Sequence, residues 1–158
     1  MRSRSVGWLG TGRLTLLALV LAGCSPATAP APGAEVGRYV ATAVAGRPVP
    51  GVTDSSAREF GVLLADTLEL DGRGGAQRAF AVRRIDRALG TDTVYRVRVA
   101  AAYRRSGATR LEVGTFAACP PNALCVANDT GTVAGGRVTL VSFHLPGPPL
   151  VVLDRVAP

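Results

Sequence analysis

The chain has no lysine, and in 158 residues it has one histidine, one methionine, one tryptophan and three cysteines. Aromatic residues make up only 5% of it. There is no G-x-S-x-G elbow to expose a nucleophilic serine and no G-x-x-x-x-G-K-[ST] loop to cradle a phosphate. The lone His144 ends the strand-like run TLVSFHL, where a surface or capping role outweighs catalysis and no turn exposes Ser142. With lysine absent, arginine carries all the positive charge. Arginines alternate with acids and no array of aromatics accompanies them, a pattern of solvated mixed surface rather than of nucleic-acid binding. Anionic lipid or polysaccharide is the remaining charged partner, with Arg83, Arg84 and Arg87, or Arg104 and Arg105, as the places to test it.

The N-terminus has Arg2, Arg4 and Arg13 followed by the apolar run Leu14 to Ala22, the order of charges and greasy residues in a secretory signal peptide. That run is nine residues long, whereas a membrane-spanning helix takes ~20. Ser3 separates Arg2 from Arg4, so the paired arginines of a twin-arginine signal are missing. Leu21, Ala22, Gly23 and Cys24 resemble the lipobox of bacterial lipoproteins. The resemblance implies cleavage before Cys24 and lipid on its sulfur, with palmitate-type acyl chains fixing the protein to the cell envelope. Two or three chains hold where one is marginal, each buried methylene contributing about 0.8 kcal/mol. Ser25 after the cysteine implies the outer membrane in a cell that has two.

Residues 25–34, SPATAPAPGA, have three prolines and no charge, so residues 24–34 read as a lipidated cysteine and an extended spacer of roughly 30 Å. Residues 1–23 are the signal, and residues 35–158 are expected to form one domain. Removing the three signal arginines from the eighteen leaves fifteen against eleven acids, so the formal charge falls from +7 to +4.

Within that domain the dominant period is two. In TVYRVRVAAAYRR, Tyr95, Val97, Val99, Ala101 and Tyr103 share one face while Arg96, Arg98 and Arg104 share the other. TRLEVGTFA, RVTLVSF and LVVLDRV continue the pattern. DGRGG at 71–75, the glycine around 107, NDTG at 128–131 and AGG at 134–136 supply turns. AFAVRRIDRALG fits a helical stripe ended by Gly90 as well as a strand; strand is preferred for its first half because LELDGRGGAQRAFAV reads as strand, turn, strand. The expected fold is all-β, a small antiparallel barrel of about eight strands with its edges closed.

Tyr39, Gly46, Pro48 and Pro50 in GRYVATAVAGRPVP, with the strand–glycine–strand unit GTVAGGRVTLVS, resemble small, mostly uncharacterised bacterial lipoproteins with lipocalin-like barrels. That resemblance covers most of residues 37–156 and implies a fold without an activity. A non-enzymatic, monomeric binding or structural module follows as the expectation, with a small apolar ligand or an envelope protein as partner, and with neither cofactor nor metal.

Cys119 and Cys125 flank PPNAL, and an even pair in an exported chain reads as a disulfide closing a seven-residue ring worth about 2 kcal/mol. A metal site with His144 is the rival, one ligand short of a zinc tetrahedron. Acid pairs such as Asp66 with Glu69, or Glu69 with Asp71, read as the solvated side of a strand and its turn. The candidate ligand-binding residues are Tyr95, Val97, Val99 and Tyr103, provided their face points inward. Alanines such as Ala79, Ala81, Ala100 and Ala102 are expected to leave room there; the alternative is a filled barrel acting as a scaffold, with an exposed apolar patch.

Overall fold

A computed structural model describes residues 33–116 and 127–157. Cys24, Cys119 and Cys125, with the lipobox, spacer and disulfide expectations that rest on them, lie outside those residues. Ten strands follow in order: β1 (Gly37–Val44), β2 (Arg47–Pro48), β3 (Gly51–Ser55), β4 (Glu59–Leu70), β5 (Gly75–Asp86), β6 (Thr91–Ser106), β7 (Arg110–Gly114), β8 (Asp129–Ala134), β9 (Arg137–Val141) and β10 (Leu150–Arg155).

Pairing is antiparallel throughout, and β1 bonds β10 on one side and β4 on the other. The ring β1-β10-β9-β8-β7-β6-β5-β4 therefore closes into an eight-stranded barrel, with β2 and β3 as short additions. The expected lipocalin-like, all-β architecture is what the chain adopts. Closure follows from the alternation along most strands, since an apolar inner face is covered only when the sheet curls onto itself.

Two hairpins show how the local sequence fixes the path. Ala45 and Gly46 both have positive φ (48° and 75°) between paired Val44 and Arg47, and Gly135 and Gly136 (56° and 76°) do the same between Ala134 and Arg137. These two-residue reversals match the twist of their strands. Asp71 turns β4 into β5, its Oδ1 accepting the N–H groups of Arg73 and Gly75, both at 2.7 Å. AFAVRRIDRALG is strand through Asp86 and then turn, with Asp86 Oδ1 accepting Ala88 N–H and Leu89 N–H; the helical alternative is absent. NDTG is not a turn, because Asp129 already opens β8 opposite Val113.

The up-and-down order gives the barrel two distinct ends. At the closed end the chain arrives through Gly33–Val36, the β4–β5, β6–β7 and β8–β9 turns cluster, and β10 departs. Glu35 is buried there; its carbonyl accepts the Tyr39 hydroxyl at 2.6 Å and its carboxylate meets Arg105 at 3.0 Å. Tyr39, Leu68, Leu70, Ala76, Leu111, Val138 and Leu153 pack the interior above it. The other end has the β5–β6 turn, the end of β7, the start of β8 and the Ser142–Pro149 loop. Here β6 outruns its neighbour: it pairs with β5 along Thr91–Ala102 but with β7 only along Ala102–Ser106. Among the described residues that end is a mouth. The described residues contain no helix long and apolar enough to cross a membrane.

Candidate functional site

The β5–β6 register sets Val82 opposite Tyr95, Phe80 opposite Val97, and Arg78 opposite Val99. Directly opposed residues share a face, and Phe80, Val82 and Arg78 are buried, so the face bearing Tyr95, Val97 and Val99 points inward. Because β7 stops short, the mouthward part of that face stays open: Tyr95 is 50% and Val97 38% exposed. Across from it, the loop after β9 brings in His144 and Pro146. Together with Phe80, Val82 and Arg84 they line an open pocket of about 340 Å³, within the range of small-molecule pockets. Tyr103 is on the same face but at the closed end, where its hydroxyl donates to the Asp71 carbonyl at 2.6 Å.

Beneath the pocket is a buried polar cluster. Arg78 Nε donates to both carboxylate oxygens of Asp66 at 3.0 and 3.1 Å, its Nη2 also reaches Asp66, and its Nη1 donates to Asp129 and, at 2.9 Å, to Ser142 Oγ. None of the four is more than 2% exposed. The guanidinium also lies over the Phe80 ring, 5.6 Å from its centroid, a cation–π contact that joins cluster to pocket wall. Asp129 Oδ1 accepts Phe143 N–H at 2.7 Å, so the cluster pins the start of the loop that carries His144. Burial pushes the Asp66 carboxyl above its ordinary 3.8 against the hydrogen bonds and charge of Arg78, with Asp129 adding to the rise and His144 opposing it.

The structure brings Tyr95, Val97 and Val99 to one pocket and leaves Tyr103 outside it. His144, singled out only as a lone surface or capping residue, lines the pocket and is half-buried. Ala79, Ala81, Ala100 and Ala102 fall on the outer face, opposite in parity to Ala101 and Val99, so they hollow nothing. Asp66 is not solvated: it is fully buried, while Glu69, three residues on and so on the opposite face, is exposed in an ion pair with Arg38. In the proposed basic patches Arg83 pairs with Asp92, Arg84 through Nη2 alone with Glu59, and Arg105 with Glu35, while Arg87 and Arg104 stack over Phe60 and Phe116.

Phe80, Val82 and Pro146, and the Arg78–Asp66–Asp129–Ser142 cluster, are not singled out as a site by the sequence, whereas Arg84, named there as a place for an anionic partner, does line the pocket. A signal for Arg78 was present, because it shares parity with Ala76, Phe80 and Val82 in GAQRAFAV. Among the described residues no group of three or more histidine, cysteine, aspartate or glutamate side chains is arranged to hold a metal. Comparison with family models, with curated proteins and with solved structures finds no match to this chain.

Proposed function

We propose that the chain is an exported lipoprotein, anchored to the cell envelope through Cys24, whose barrel binds a small apolar or amphipathic molecule at its mouth. One observation carries the binding part of this reading: the open end of the barrel has a pocket of about 340 Å³, walled by Phe80, Val82, Val97 and Val99 and rimmed by a few polar groups. Leaving such apolar side chains open to water has a cost that a ligand removes, at about 25 cal/mol per Å² covered. The role is binding rather than catalysis, by a monomer that uses neither metal nor cofactor. The full chain in its Cys24→Ala form should show saturable binding to at least one member of a panel of fatty acids, isoprenoids and aromatic probes. Val99→Trp should block it while lowering the unfolding free energy in urea by no more than about 1–3 kcal/mol, so that the barrel stays folded.

A scaffold function is the second reading, favoured by Leu89, Val94 and Phe143, which are exposed near the same end at 75%, 40% and 40%. A panel without saturable binding decides for it. The anchor has its own test: Cys24→Ala should abolish labelling by an alkyne fatty acid and release the protein from membranes. The proposed Cys119–Cys125 disulfide requires that thiol counting on the unfolded, unreduced protein find neither cysteine free.

A further inference from the structure

Resting on that reading of the mouth pocket, we propose that its ligand is a monocarboxylate with a straight apolar tail, bound tail-inward with the carboxylate at the rim on Arg84. The polar side chains lining the pocket are those of Arg84, Tyr95 and His144. Each donates hydrogen bonds and none is a carboxylate, so the lining matches a head group that accepts. Arg84 is the permanent cation among them. Among the described residues it uses only Nη2, on Glu59 Oε1, which leaves Nη1 and Nε for a second acceptor. Tyr95 is near it on the same face, since Val82 is opposite Tyr95 and Arg84 is the next inward residue of β5.

The floor fixes the orientation. Arg78 is the positive group at depth, and Asp66, Asp129 and Ser142 take up its donors, so the interior offers an anion nothing and two carboxylates repel it. The rim is six residues away along β5, about 20 Å at 3.3 Å per residue. Between the two, Phe80, Val82, Val97 and Val99 form an apolar slot. From Phe80 to Arg84 the slot runs about 13 Å, which suits an acyl chain of medium length lying along the strands. An amine head is disfavoured beside Arg84, and an alcohol forgoes the charge-assisted bond.

Glu59 competes with the ligand for Arg84, which gives a test in both directions. Titration of the full chain in its Cys24→Ala form with decanoate, 1-decanol and 1-decylamine should rank decanoate tightest, by about fivefold over the alcohol, the size expected of one partly exposed charge-assisted contact. Arg84→Gln should bring the ratio of acid to alcohol affinity close to one, and Glu59→Gln should raise it. Saturable binding of decanol as tight as that of decanoate, or an acid preference indifferent to both substitutions, overturns the carboxylate assignment and leaves the pocket reading standing. Absence of saturable binding by all three overturns both.

Discussion

Arg78 and Asp66, on adjacent strands and both sealed from solvent, are joined by Arg78 Nε with its two bonds of 3.0 and 3.1 Å to one carboxylate. The single guanidinium serves two carboxylates, and it joins β4, β5 and β8 to the head of the loop after β9. Removing one partner of such a group strands the others unpaired in a low dielectric. Arg78→Met should therefore lower stability by about 3–5 kcal/mol in urea unfolding, far beyond the loss of a surface pair. A loss under about 1 kcal/mol would show that water or rearrangement satisfies Asp66 and Asp129 without it.

The same cluster predicts the pH dependence. Asp66 titrates above 3.8 in the folded protein, principally because it is buried, so between 3.8 and its folded value the native state holds the extra proton. Stability contributed by that carboxyl is present below 3.8 and is lost as pH rises through its folded value. Asp71, Asp92 and Asp154 act oppositely: backbone N–H groups hold the first below its usual range, and Arg83 and Arg137 hold the other two, so their contributions fade as pH falls below 3.8. Urea midpoints should thus decline on raising pH above 3.8, and Asp66→Asn should flatten that decline whatever it does to absolute stability. An unchanged slope in the variant would falsify the assignment to Asp66.

Gly131 on β8 has no room for a side chain. A Cβ built there is 1.8 Å from the Thr139 carbonyl oxygen of β9, a contact with backbone that no rotamer relieves. Gly131→Ala should cost about 3 kcal/mol or more, read as a drop in unfolding midpoint, whereas Gly46→Ala meets no atom within 4 Å and is limited to the strain of its positive φ.

Tyr39 predicts a smaller effect at the closed end. Its ring is fully buried and its hydroxyl donates to Glu35 O. Tyr39→Phe keeps the ring and removes the donor, which should cost about 1 kcal/mol and speed proteolysis ahead of β1 while leaving ligand affinity at the mouth unchanged. Loss of binding would mean that the two ends communicate through the core.

The alternation in TVYRVRVAAAYRR is long and regular enough to reveal β6 and its two faces, while the register against buried Arg78, Phe80 and Val82 shows which face turns inward. The glycine doublet at 135 and 136 reveals its hairpin because few other residues accept two successive positive φ values. The buried charges were harder to see. Asp66 follows a bulge between Leu63 and Ala65 that shifts the parity of β4, so counting from Val62 puts it outside while counting back from Leu70 and Leu68 puts it inside. Arg78 has no such excuse of register; its place among Ala76, Phe80 and Val82 pointed inward, but a charged residue is rarely buried without partners. Those partners, Asp129 and Ser142, are 51 and 64 residues away in the chain. His144 reaches the pocket through the same long-range closure, as no local pattern places the β9–β10 loop across from β6.

The chain arrives and departs at one end of the barrel, and the apolar pocket opens at the other. The proposed tether upstream of Gly33 would therefore hold the molecule like a cup on a stalk, rim outward. Were Cys24 the anchor, as proposed, the closed end would face the protein's own bilayer and the pocket the aqueous compartment, roughly 30 Å farther out for the twelve tilted residues of β5. A greasy solute resting in that bilayer then has no direct path into the cup and must first cross water. Cargo handed over by a soluble carrier, or shed from a facing surface, would meet the opening head-on, so under the proposed anchor and binding role the polarity of the fold would set the side from which the protein is loaded.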